Sequence, residues 1–130
     1  MSRALAERFI DTLHTLEADR DADVLAALYA DGAVAGNTAT TRTFDGPEGA
    51  REFWTGYRDT FSEIRSEFRS VLADDESAAL EWRSTGTLGG GDDVAYEGVT
   101  VLEFDGDRIT RSTAYFDPRA IVAAGDAAIR

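Results

Sequence analysis

The chain of 130 residues contains no cysteine and no lysine, one histidine and two prolines. Without cysteine there is no disulfide, no thiolate metal site and no cysteine nucleophile. His14 by itself does not supply the several imidazoles of an ordinary zinc site, so neither a metal nor a cofactor is expected. No apolar run approaches the roughly 20 residues that a membrane span requires. Charges interrupt Met1–Arg8 too early for the apolar region of a signal peptide, which makes a cytoplasmic location the expectation.

Arginine is the only strong base: 13 arginines stand against 15 aspartates and 10 glutamates, for a formal net charge of −12. Such a balance repels nucleic acid and anionic membrane, so neither is expected as a partner. The acids are scattered through periodic sequence that is 43% hydrophobic, unlike the charge blocks of a disordered tail. A solvated acidic surface is the simplest reading. An Asp-rich, lysine-free surface resembles proteins of salt-loving organisms, where salt screens the repulsion. A GC-rich genome also depletes lysine codons, and both readings stand.

The length fits one domain spanning residues 1–130. Ser2 is placed to cap a first helix whose apolar residues Leu5, Phe9, Leu13 and Leu16 recur every three or four positions. Asp19-Arg20-Asp21 interrupts it, and Ala22–Tyr29 reads as a short second helix ended by a turn at Asp31-Gly32. Ala33–Ala35 reads as a short strand, followed by the polar stretch Asn37–Thr43. Pro47 in a first turn opens a third helix carrying Ala50, Phe53, Trp54, Tyr57 and Phe61 as an aromatic stripe. Four strands follow over Glu63–Ala73, Ser77–Leu88, Val94–Phe104 and Arg108–Phe116, separated by Asp- and Gly-rich turns. The alanine-rich tail Arg119–Arg130 reads as a short helix.

Several segments in this order resemble the nuclear transport factor 2-like superfamily, and within it the SnoaL-like, polyketide cyclase-like group. They are Leu28–Asp31, Gly46–Trp54, Leu80–Thr87, Glu97-Gly98-Val99, Phe104–Ile109 and Tyr115-Phe116-Asp117, together covering about residues 5–118. The resemblance implies an α+β fold of the cystatin-like type. Its curved, mixed or antiparallel sheet forms a cone, with three N-terminal helices covering the concave face. It also implies a homodimer, for which the outward-facing Val99 and Val101 are suited.

Strand alternation then divides the side chains into two sets. The resemblance places Leu80, Trp82 and Ser84, then Tyr96, Gly98, Thr100, Leu102 and Phe104, on the cavity side, with Ser112, Ala114 and Phe116 from the last strand. Phe9, Leu13, Trp54 and Tyr57 come from helices to cover the wide end, and Asn37 adds an amide. Glu81, Arg83, Glu103 and Arg111 fall on the opposite side.

The family's acid–base positions are not retained. Ketosteroid isomerases pair a carboxylate base with a tyrosine and a protonated aspartate, and the matching positions here hold Asn37, Phe9 and Thr100. The aspartate of limonene epoxide hydrolases and the acid of SnoaL-like cyclases both fall around Ala114. The epoxide hydrolases' partner residues correspond to Trp82 and Ser84. None of these side chains replaces a carboxylate as a general base.

The primary expectation is thus a small-molecule-binding protein with an apolar, aromatic-lined pocket for a small, mostly apolar molecule. An isomerase, cyclase or hydratase using His14 or Asp117 is one alternative, and a non-catalytic dimerisation module is another. Histidine is the side-chain type whose unperturbed pKa lies near neutrality, but a lone helix histidine such as His14 is more often at a surface. Asp117 before Pro118 equally suits a turn cap.

Overall fold

The computed structural model describes residues 2–121, apart from the side chain of Ser2. The expected Ser2 cap and residues 122–130 of the tail lie outside the described residues. Helix α1, Ser2–Asp19, buries Leu5, Phe9, Leu13 and Leu16, the stripe that predicted it. Beyond it Arg20 takes the left-handed conformation, φ 62°, and its N–H bonds the Leu16 carbonyl at 2.9 Å.

The expected second helix over 22–29 contracts to one turn, α2, Asp23–Ala26. Tertiary partners claim the rest. The Leu28 carbonyl accepts from the Ile109 N–H at 2.8 Å, and Tyr29 opens strand β1, Tyr29–Asn37. Asp31-Gly32, expected as a turn, lies within β1, where the pairing register shifts between Tyr29 and Val34.

A two-residue strand β2, Phe44–Asp45, leads into helix α3, Gly46–Asp59. Gly46 has φ 69°, and a Cβ there would stand 2.9 Å from the Asp31 carbonyl oxygen, so this entry requires glycine. Phe61, expected on the stripe of α3, instead opens strand β3, Phe61–Ala73. Arg58 is the cause. Its guanidinium binds the carbonyls of Phe61 at 2.9 Å and Ser62 at 3.4 Å, closing the helix-to-strand turn. Strands β4, Ser77–Leu88, β5, Asp93–Asp105, and β6, Arg108–Phe116, fall within one residue of the expected bounds.

The strands form one mixed sheet in the order β2-β1-β6-β5-β4-β3. β1 runs parallel to β6 and the other neighbours are antiparallel. Register shifts within β3 and between Glu103 and Phe104 add local twist, and the sheet curls without closing. α1 packs over β3 and β4, while α3 packs over β1. The fold is the expected α+β class. Its helical cover departs from three N-terminal helices, because α2 is a single turn and α3 follows two strands.

Alternation across the central strands holds. Leu80, Trp82 and Ser84 pair with Thr100, Gly98 and Tyr96, which continue to Ala114 and Phe116 of β6. Gly98 lies beneath the Trp82 indole. A Cβ there would stand 2.7 Å from Trp82 Cζ2 and 2.5 Å from the Tyr115 carbonyl oxygen. Gly98→Ala is therefore expected to cost about 1–3 kcal/mol of unfolding free energy through overpacking. Gly90→Ala, in an exposed turn with nothing within 4 Å, is expected to change it by less than about 0.5 kcal/mol. Urea denaturation of the two variants measures the contrast.

Candidate functional site

Between the helices and the concave sheet face lies a cavity of about 520 Å³. That volume is ordinary for a small-molecule site, roughly 300–1,000 Å³. Its walls carry a continuous belt of rings. Trp54 and Tyr57 of α3 meet edge to face at 5.4 Å, and Tyr57 meets Phe61 at 5.6 Å. Phe61 stacks on Tyr96 at 6.4 Å, and Tyr96 contacts Trp82 at 5.3 Å and Phe116 at 5.4 Å. Each ring braces the next, so the cavity is bounded by side chains with few free rotamers.

Polar groups are placed sparingly on this apolar wall. Trp82 Nε1–H donates to Thr100 Oγ1 at 2.9 Å, and Asn37 Oδ1 accepts from the Ala39 N–H at 2.9 Å. At the rim Arg42 pairs with Glu52 at 2.7 Å and lies over the Phe44 ring. Glu52 is the only acid among the described lining residues.

A second carboxylate sits just behind the wall. Glu17, 5% exposed, accepts from the Tyr57 hydroxyl at 2.8 Å, the Ser66 hydroxyl at 2.6 Å and the Ser66 N–H at 2.9 Å. Ser66 and Ser84 hydroxyls lie 2.6 Å apart. Buried Arg58 donates to the Glu17 carbonyl at 2.9 Å, fixing the end of α1 against α3. Glu17 is missed by a search for cavity-facing acids. Its signal is the spacing: it lies four residues after Leu13 and eight after Phe9, on the apolar face of α1.

Most of the sequence-derived residues converge here. Leu13, Asn37, Trp54 and Tyr57 line the cavity, as do Trp82, Ser84 and Tyr96, and Thr100, Ala114 and Phe116. Six do not line it: Leu80, Leu102 and Phe104 belong to the buried core, Gly98 lies against the Trp82 indole, and Phe9 and Ser112 are engaged elsewhere. Phe9 is fully buried in the core beneath the cavity, edge-on to Trp54 at 5.8 Å. Ser112 is buried and bonded at 2.7 Å to the Tyr29 hydroxyl, which also accepts from Trp54 Nε1–H at 2.9 Å. Ser66, Phe53 and Ile121 also line the cavity and were not anticipated.

His14 and Asp117 lie outside it. His14 Nε2 is 2.9 Å from the Ser66 carbonyl, an acceptor, so that nitrogen carries a proton and is not a free base. Its ring faces a separate shallow groove with Glu17 and Arg58. Asp117 is exposed and held by Arg119, whose Nε and Nη2 donate at 3.0 and 2.9 Å. Those bonds keep its carboxyl below the usual range. No cluster of three or more potential metal ligands occurs among the described residues. No helix among them is long and apolar enough to cross a membrane.

Known structures define the class. A protein from Catenulispora acidiphila with a ketosteroid isomerase-like fold, crystallised with trimethylamine, superposes with a TM-score of 0.82. It shares 14% identity, with 97% of this chain and 95% of that one covered. TerC co-crystallised with polyporic acid gives 0.81 at 14% identity, covering 95% and 97%. An epoxide hydrolase of the limonene epoxide hydrolase-like type from M. tuberculosis gives 0.73 at 19%, covering 97% and 90%. The fold is that of the NTF2-like, ketosteroid isomerase-like proteins. Within it, the chain belongs to the SnoaL-like domain family, whose model matches residues 6–112. No curated protein matches the chain.

Burial sets the acid–base behaviour of the tyrosines. It pushes the Tyr29 hydroxyl from 10.0 up to about 12. Burial and then the Glu17 charge raise Tyr57 and Tyr96 well above their ordinary value. A pKa raised in the folded state means that folding favours the neutral phenol. That stability is complete below pH 10, the unfolded value, and is lost as pH rises toward 12 and beyond. Spectrophotometric titration is expected to show these phenols ionising late and together with unfolding; ionisation near pH 10 in the folded protein contradicts their burial.

Proposed function

We propose that the chain is a cytoplasmic, single-domain SnoaL-like protein that binds a small, mostly apolar molecule. In this reading it works without the family's usual carboxylates, since Asn37, Thr100 and Ala114 stand at those positions. The observation that carries it is the 520 Å³ aromatic cavity with a few uncharged polar groups. Ligand complexes of similarly folded proteins, with trimethylamine and with polyporic acid, support the same reading. The reading of an isomerase, cyclase or hydratase through His14 or Asp117 draws no support from their positions outside the cavity. A dimerisation module with a filled interior is disfavoured by the cavity itself.

A thermal-shift screen of neutral aromatic and alicyclic compounds in high salt tests this. Hits are expected to be lost in Trp82→Ala, which removes a wall, and in Ala114→Phe, which fills the space while adding apolar contacts. No stabilising compound, or hits that survive both substitutions, contradicts the proposal.

Homodimerisation through the convex sheet face is part of the same proposal. Val99 and Val101 are half-buried there, Tyr115 is 43% exposed and Leu72 69% exposed. Ion pairs Arg83–Glu97 and Arg111–Glu103 flank these residues with both signs of charge, as a self-complementary two-fold contact needs. Sedimentation in molar salt is expected to give a species of twice 14.1 kDa, and a monomer at all concentrations contradicts it.

A further inference from the structure

Hydrogen-bond direction inside the cavity is set from outside by Glu17. A carboxylate offers only lone pairs, so the Tyr57 and Ser66 hydroxyls must both donate to it, at 2.8 and 2.6 Å. Each hydroxyl has one proton. Ser66 has spent its proton on Glu17, so the 2.6 Å contact between the serines is made by Ser84 donating to Ser66. Tyr57 Oη and Ser84 Oγ are therefore left with unused lone pairs and no proton to give. Both residues line the cavity, and Ser84 is almost fully buried. The Tyr96 hydroxyl, on the same cavity wall, has no hydrogen-bond partner among the described residues and is free to donate.

We propose that this corner selects a ligand hydroxyl, phenolic or enolic, which donates to Tyr57 Oη or Ser84 Oγ and accepts from Tyr96. The inference rests on the binding function proposed above and names its substrate class. An ether of the same shape has no proton to donate, so the acceptor that the hydroxyl would satisfy stays unpaired, and unpaired buried polar groups are strongly penalised. The apolar remainder of the ligand occupies the ring belt.

Isothermal titration of 2-naphthol and 2-methoxynaphthalene tests the assignment. The wild type is expected to bind the naphthol at least about tenfold more tightly, as one lost buried hydrogen bond implies. Glu17→Gln places an amide where the carboxylate was, and its N–H groups turn Tyr57 or Ser66 around. The preference is expected to fall to about twofold or less, by the same lost bond. Of Ser84→Ala and Tyr57→Phe, which delete single acceptors, the one that removes the oxygen receiving the ligand proton is expected to weaken naphthol while leaving the ether nearly unchanged. They decide the matter if Glu17→Gln does not fold. Equal wild-type affinities overturn the directional assignment and leave the binding function standing. A preference that survives Glu17→Gln, or both acceptor deletions, also overturns it. Failure of both compounds to bind overturns the binding function and this inference together.

Discussion

A carboxylate removed from water at the junction of two helices and a sheet is the constraint on which the rest of this structure depends. Burying Glu17 is unfavourable unless every lone pair that loses water gains a donor. Three donors arrive, and they come from different elements: Tyr57 from α3, and the hydroxyl and N–H of Ser66 from β3. Satisfying one charge thus ties α1 to α3 and to the edge of the curled sheet. Arg58 reinforces the same junction by binding the Glu17 backbone carbonyl and the turn that starts β3, at 2.9 Å each. Breaking such a buried set from one side is costly, because the remaining partners are left without water or protein.

The cavity follows from that tie. With α1 fixed over β3 and β4 and α3 fixed over β1 and tied to the end of α1, the rings of Tyr57, Phe61, Tyr96 and Trp82 meet one another edge to face or stacked. They do not collapse into the space between them. Gly98 contributes from the sheet, since its missing side chain lets the Trp82 indole lie close to β5. At the other end, Tyr29 joins Trp54 to Ser112 and holds α3 against β1 and β6. Two polar anchors thus bracket an apolar chamber. The acidic exterior, at formal charge −12, takes no part in this.

Much of the fold was legible in the sequence because its period is enforced by burial. The stripe Leu5, Phe9, Leu13, Leu16 and the alternation of β4, β5 and β6 placed elements within a residue and put Trp82, Ser84, Tyr96 and Thr100 on the cavity. Legibility failed where a distant partner overrides local preference. Tyr29 leaves a helix-like context for a strand because Leu28 and Tyr29 find partners on β6. Phe61 leaves the α3 stripe because Arg58 turns the chain. Phe9 shared the period of Leu13 but sits a turn deeper, beneath Trp54. Glu17 was hidden for a chemical reason: the acids sought were those facing the cavity, whereas this one acts through hydroxyls that do.

Glu17 therefore holds the chamber open and also sets which groups it presents to an occupant. A crystal structure of the chain soaked with 2-naphthol examines both roles at once. The account predicts the ring system within the belt of Tyr57, Trp82, Tyr96 and Phe116, with its oxygen at hydrogen-bond distance, about 2.5–3.0 Å, from Tyr57 Oη or Ser84 Oγ. Electron density for the naphthol outside the chamber, or inside it with the oxygen turned away from both acceptors, contradicts the account.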